Sequence, residues 1–191
     1  MKIICLLGSP RPAGNSGTIA RRFMETAAEL GAETRIFELN RLNVKGCQGC
    51  WACKKKYDMC VTQDDLRDAL EGILRTDILV LATPIYCRDI TAQLKCFIDR
   101  CFAYLVPDYL TNPNPSRLPP GKRLVFIITQ GFPDEKRFAD IFPRYDNFLR
   151  TRIGFAESYL IRAWGVGTSG EIDVPEKYLR QAEDLARTIV A

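Results

Sequence analysis

Two kinds of apolar pattern alternate along the chain. Ile3-Ile4-Cys5-Leu6-Leu7, residues 78–82 and residues 124–128 are unbroken apolar runs, as parallel strands covered on both faces require. Residues 34–39 come near the alternation of a half-covered strand, and 159–163 make a further strand. Apolar residues recur at helical spacing over 19–30, 64–75, 91–104 and 135–152, the last interrupted at Pro143, and Pro175 opens a final helix as a first-turn proline should. Five strands thus alternate with five helices. That order predicts a doubly wound α/β domain, a parallel sheet with helices on both faces. No repeat or linker divides the chain, so residues 1–191 read as a single domain.

Two stretches stand outside this rhythm. Residues 42–62 are rich in cysteine, and 106–121 carry Pro107, Pro113, Pro115, Pro119 and Pro120, which predict a long excursion without regular structure. A loop of that length is expected to cover a site, select a substrate or meet a partner. Gly165-Val166-Gly167-Thr168-Ser169-Gly170 fits a dinucleotide fingerprint by letter. No helix opens at its last glycine and too little chain follows for a βαβ unit, so it reads as a flexible turn. Asp64-Asp65 resembles a catalytic carboxylate pair, but Thr62 or Asp64 as the cap of the following helix is the ordinary use of such residues.

Composition narrows the chemistry. Hydrophobic residues at 47% and charged residues at 26% are globular values, and the net charge of +4 comes from interspersed charges without a basic stripe. Nucleic acid is therefore not an expected partner. The apolar runs are too short to span a bilayer, and Met1-Lys2 leads straight into a strand, so neither a membrane nor a signal peptide is expected and the cytoplasm is the expected compartment. Eight cysteines there point to metal, redox or buried apolar roles rather than disulfides. Histidine is absent. An enzyme without it lacks the commonest general acid-base, so a cofactor is expected to carry the chemistry and no side chain is assigned a catalytic role.

Three unusual loops follow strands and converge, in a doubly wound sheet, on one crevice. The first, Gly8-Ser9-Pro10-Arg11-Pro12-Ala13-Gly14-Asn15-Ser16-Gly17-Thr18, offers glycines, hydroxyls and a helix N-terminus, which suit a phosphate. The lesser alternative, from these residues alone, is an ordinary well-capped βα connection. The second, Thr83-Pro84-Ile85-Tyr86-Cys87-Arg88, offers backbone amides and an aromatic wall for a planar ring, although Tyr86 taken alone reads equally as packing. The third is Thr129-Gln130-Gly131-Phe132.

The first of these loops, the run 83–100 and Ile128-Thr129-Gln130-Gly131 together resemble the NAD(P)H-dependent FMN reductase family over about residues 1–131, including its iron-sulfur flavoprotein branch. The resemblance implies a flavodoxin-like fold with strand order 2-1-3-4-5. It implies FMN, its phosphate held by Ser9, Arg11, Asn15, Ser16 and Thr18, its ring beside Pro84, Ile85 and Tyr86, with Gln130 and Gly131 from the third loop. It also implies NAD(P)H as electron donor and a homodimer or homotetramer.

Cys47, Cys50, Cys53 and Cys60 form C-x2-C-x2-C-x6-C, three thiols at three-residue steps and a fourth close by. The spacing favours a [4Fe-4S] cluster over zinc, whose sites use two separated pairs, and free or redox-active thiols remain a third reading. Lys54-Lys55-Lys56 could favour thiolates or dock an anionic partner but reads first as a solvated charge run, and Trp51 as a cluster shield or a loop or interface anchor. Cys5, Cys96 and Cys101 lie in apolar patterns and are expected to be buried, whereas Cys87 falls beside the proposed ring. The expected function is an FMN-dependent oxidoreductase that takes reducing equivalents from NAD(P)H or a cluster and reduces a small acceptor such as a quinone or flavin. The alternatives are an iron-sulfur flavoprotein electron carrier or redox sensor serving protein partners, and a zinc-binding module.

Overall fold

The computed structural model describes residues 1–11, 13–167 and 173–190. Five long strands, β1 (Lys2–Leu7), β2 (Glu33–Glu38), β3 (Ile78–Tyr86), β5 (Arg123–Gln130) and β6 (Glu157–Trp164), form one parallel sheet, with the short β4 (Asp89–Ile90) antiparallel to the end of β3. Their order is β2-β1-β3-β5-β6, which is 2-1-3-4-5 when the long strands are counted among themselves.

Alternation along each strand divides the core. Ile3, Cys5 and Leu7 of β1, with Val80 and Ala82 of β3, pack against α1 (Asn15–Glu29) and α6 (Glu176–Val190). Ile4 and Leu6, with Leu79 and Leu81, face α3 (Arg67–Ile73), α4 (Ala92–Arg100) and α5 (Ile141–Phe148). Both faces of the central strands are covered, and so their residues read as unbroken apolar runs rather than alternating ones.

Several boundaries differ from the sequence pattern, each for a local reason. Helix α1 starts at Asn15, ahead of the apolar stripe that begins at Ile19, because its first turn faces the crevice and not the core. Strand β3 runs on through Pro84 to Tyr86 and turns back through Cys87 and Arg88 into β4, so the second crevice segment is a hairpin tip. Helix α3 begins only at Arg67 and has no side-chain cap; Asp64 is engaged elsewhere. Helix α4 is capped by the Thr91 hydroxyl, which accepts from the Leu94 amide, and continues as a 3-10 turn over Cys101–Tyr104. Pro143 sits in the first turn of α5, where its missing amide leaves no hydrogen bond unmade, and α5 runs on into a π-turn at Leu149–Ile153. Residues 106–121 hold no helix or strand, and a single bridge joins Leu105 to Ser116. The turn expected at residues 165–170 lies partly outside the described residues; α6 begins at Glu176, directly after Pro175.

Candidate functional site: a strand-end crevice and a four-cysteine pocket

The crevice forms where the winding reverses between β1 and β3. The Gly8 amide donates to the Ala82 carbonyl at 2.8 Å, and the Thr91 hydroxyl donates to the Gly8 carbonyl at 2.8 Å. Three elements meet there with no room for a side chain. A Cβ at Gly8 would lie 2.8 Å from Thr91 Oγ1 and 2.9 Å from Leu94 Cβ, and one at Gly14 would lie 2.9 Å from Ser9 Oγ.

The N-terminus of α1 opens beside these glycines. Gly14 caps it without a side-chain hydrogen bond, and its first turn carries no acidic residue, so the positive end of the helix dipole is not offset within its own turn. Ser9, Asn15 and Ser16 are buried there. Ser9 Oγ accepts from the Arg11 amide at 3.1 Å, and Asn15 Oδ1 accepts from the Asp173 amide at 3.1 Å, which ties the C-terminal segment to the loop. The Thr18 hydroxyl turns back to the Ala13 and Gly14 carbonyls, both at 3.3 Å.

The second wall is the β3–β4 hairpin. Pro84 is buried, Ile85 half-buried, and Tyr86 exposed at 42%, which leaves its ring face open. Cys87 and Arg88 hold φ values of 48° and 74°, a left-handed turn that side chains other than glycine enter at a cost. The Tyr145 hydroxyl donates to Asp89 Oδ1 at 2.8 Å and steadies the returning strand; burial and the Asp89 carboxylate push that phenol well above its usual range. In the third loop Gln130 is committed inward. Its amide donates to the Phe132 and Asp134 carbonyls at 3.0 and 2.9 Å, and its oxygen accepts from Arg162 at 2.8 Å. Gly131 follows half-buried, and Phe132 is left exposed with the Arg137 guanidinium 3.8 Å from its ring centre.

Cys47, Cys50, Cys53 and Cys60 line one pocket together with Trp51, Arg100 and Phe102. Cys47 and Cys50 are exposed, Cys53 and Cys60 half-buried. The loop reaches this shape through left-handed residues at Gly49 and Trp51, the latter opening α2 (Ala52–Lys55), a single turn that carries Cys53. Asp64 and Asp65 hold the loop's near end. Asp64 Oδ2 accepts from the Lys45 amide at 2.8 Å, and Asp65 Oδ2 from the Asn43 amide at 2.8 Å. Asp64 also pairs with Arg100 at 2.5 Å, both side chains wholly buried, so the acidic residue read as a helix cap is a clamp between the loop and α4. Burial pushes the Cys60 thiol up, but hydrogen bonds from Thr62 and the charge of Arg100 outweigh it and hold the thiol below its ordinary range. Among the described residues no group of three or more His, Cys, Asp or Glu side chains stands as a preformed metal site.

The sequence pattern of the NADPH-dependent FMN reductase family matches residues 1–131. The chain belongs to that family. The match takes in the first two crevice loops, the third as far as Gly131, and the cysteine pocket. Among curated relatives, an iron-sulfur flavoprotein of Methanocaldococcus jannaschii is 34% identical over 105 residues, which cover 55% of this chain and 52% of that protein. One from Methanosarcina thermophila is 36% identical over 100 residues, 52% of each chain. The chain thus spans about half the length of these relatives. Among solved structures, an NAD(P)H:quinone oxidoreductase from Methanothermobacter marburgensis superposes with a TM-score of 0.76 at 19% identity, covering 99% of this chain and 96% of that one. An FMN-dependent NADH-azoreductase from Bacillus anthracis, in complex with FMN, does so at 0.73 and 15%, covering both chains fully. At such identities these two show that the fold is shared.

In a member of this family the crevice fits a flavin phosphate in kind: a helix N-terminus opening at a glycine without a side-chain cap, buried hydroxyls, and two glycines that bring backbone too close for a Cβ. The cysteine pocket fits an anionic metal-thiolate group in its donor set, four thiols beside buried cations. Sequence reading passed over three residues that matter here. Thr91, which locks Gly8, left only the signal of a threonine ahead of a helix. Arg100 left none, and for Lys54 the signal was only a run of three lysines that could favour thiolates, because nothing in a helical stripe or a lysine run shows which cation is buried.

Among the described residues no helix is long and apolar enough to cross a membrane.

Proposed function

We propose that the chain is an FMN-dependent oxidoreductase that uses NAD(P)H, or electrons delivered through a [4Fe-4S] cluster, to reduce a small acceptor such as a quinone or flavin. The observation that carries this is the N-terminus of α1, which opens at Gly14 without a side-chain cap from that residue and with no acidic residue in its first turn, beside Gly8 at the β1–β3 switch point. Ser9, Arg11, Asn15, Ser16 and the first-turn amides would hold the phosphate, with Thr18 closing the turn behind them. Pro84, Ile85 and Tyr86 would flank the ring, and Gln130 and Gly131 shape the third loop. Bound FMN supplies the hydride and single-electron chemistry. The chain orients it, offers amides where negative charge gathers and shields one face with Tyr86. No side-chain acid or base is required, in keeping with the absence of histidine.

In the same reading Cys47, Cys50, Cys53 and Cys60 hold the cluster, the protein works in the reducing cytoplasm, and it assembles as a homodimer or homotetramer. The relatives' shared description as iron-sulfur flavoproteins supports the cluster. Protein purified without air and mixed with FMN is expected to show flavin absorbance and to oxidise NADH or NADPH with a quinone. Failure to take up FMN overturns the reading. The exposure of Cys47, Cys50 and Trp51 at the pocket mouth favours a second reading, an electron carrier serving protein partners. Slow turnover with NAD(P)H and quinone, alongside fast electron exchange with a reduced carrier protein, would decide for it.

A further inference from the structure

Arg100 lines the cysteine pocket, Lys54 touches Cys53, and Arg117 shares the Leu105 carbonyl with Lys54; these cations are not equivalent. Arg100 is neutralised by Asp64, and Arg117 reaches Asp58 at 3.3 Å. Lys54 is buried, 8% exposed, and among the described residues forms no ion pair with a carboxylate. Its ammonium donates to the carbonyls of Phe102 and Leu105 at 2.6 and 2.8 Å, lies 4.2 Å from the centre of the Phe102 ring, and approaches Cys53 Sγ at 3.6 Å. Carbonyls and a ring solvate a cation but carry no net charge. The acid that this ammonium approaches is the Cys53 thiol of the pocket. A buried charge without a counter-charge is costly, and among the described residues the acid within reach of this one is the Cys53 thiol.

We propose that Lys54 is a positioning residue, the built-in counter-charge of a net-negative thiolate centre formed by Cys47, Cys50, Cys53 and Cys60, which strengthens metal binding there and makes the centre easier to reduce. The inference rests on the four-thiol reading above and adds which residue balances its charge. Neutral thiols leave Lys54 uncompensated. Four thiolates around a divalent ion, or around a cluster, bring negative charge to it.

The test compares Lys54→Gln, which keeps a donor for a carbonyl but not the charge, with Lys54→Arg, which keeps both. Apoprotein is titrated anaerobically with Co²⁺, read by thiolate charge-transfer absorbance, and iron-sulfur-reconstituted protein is titrated with dithionite against redox dyes. Lys54→Gln is expected to bind Co²⁺ about tenfold more weakly and to lower the one-electron reduction constant about tenfold, about 59 mV, with Lys54→Arg close to wild type. If Lys54→Gln does not fold, Phe102→Glu places a carboxylate beside the intact lysine and is expected to produce the same two losses relative to Phe102→Gln. Unchanged cobalt affinity and potential in the neutral variant, or equal losses with Gln and Arg, overturn the inference while the four-thiol site stands. Wild-type protein that takes up neither cobalt nor iron overturns the four-thiol reading and this inference with it, and leaves FMN binding to be judged by its own absorbance.

Discussion

The crevice and the cysteine pocket lie at opposite ends of α4, about 13 Å of helix, and they are built on different principles. At the Thr91 end the site is backbone: strand ends, glycines and a helix terminus, placed by the sheet and needing few side chains. At the Arg100 end it is side chain: thiols on an irregular loop, held by Asp64 and Asp65 and balanced by Lys54. A backbone site is rigid because the core that supports it is rigid. A side-chain site is only as fixed as its polar clamps, and those clamps are where it can be broken without touching the other.

The largest effect is expected from Asp64→Ala, which leaves Arg100 buried without its partner. Loss of one member of such a pair costs about 3–5 kcal/mol. Chemical denaturation should show that loss, and FMN affinity measured at low temperature, where the variant stays folded, should change less than about twofold. Equal damage to flavin binding would mean that the two ends of α4 are not separable. The converse variant, Gly8→Val, puts atoms where Thr91 and Leu94 already stand. Overpacking costs about 1–3 kcal/mol. Titration of FMN fluorescence is expected to show flavin binding lost, with cobalt binding at the four cysteines retained.

The thiols sharpen the contrast through pH. Burial pushes Cys5 of β1, beneath the crevice, up to about 12, whereas Cys60 in the pocket is held below its ordinary range. A buried neutral thiol contributes stability that is full below its unfolded pKa of about 8.5 and is lost as pH rises toward its folded value. Metal-free protein is therefore expected to lose about 1–2 kcal/mol of stability by pH 10 through Cys5, and a Cys5→Val variant should lack that component. Cys60, with its depressed value, acts in the other direction: its contribution is present above the unfolded pKa and falls away as pH drops through the folded one. At neutral pH an alkylating reagent should accordingly label Cys60 well before Cys5 or Cys101, as peptide mapping would show.

The smallest effect is expected from Thr91→Val. Losing a helix cap costs about 1 kcal/mol, and here the hydroxyl also holds the Gly8 carbonyl. A modest fall in melting temperature with a several-fold weaker FMN affinity would place Thr91 on the crevice side of the comparison. A fall in melting temperature with unaltered flavin binding would make it a cap only.

Legibility followed the same division. The crevice was visible in sequence because its parts are local: glycines and hydroxyls directly after an apolar run, a proline and an aromatic directly after another. What local pattern missed was extent. Pro84 to Tyr86 read as loop because proline and a change of polarity end an apolar run, yet the ladder carries Pro84 opposite Thr129 and closes a hairpin beyond it. In the cysteine pocket the spacing of Cys47, Cys50, Cys53 and Cys60 was plain, and its surroundings were not. Lys54 sat in a run of three lysines that reads as solvated, and Asp64 in a pair that reads as a cap.

By itself the sequence determined the parallel α/β architecture, the strand-end crevice and the set of four thiols, since burial on both faces of a strand and turn chemistry leave their mark on neighbouring residues. Only the tertiary structure decided which charges are internal. It set Asp64 against Arg100, 36 residues away, and turned Lys54 alone of its run onto the carbonyls of Phe102 and Leu105. Hydrophobic periodicity reports the environment along one element, whereas a buried ion pair or a lone buried ammonium depends on what a distant element brings to meet it.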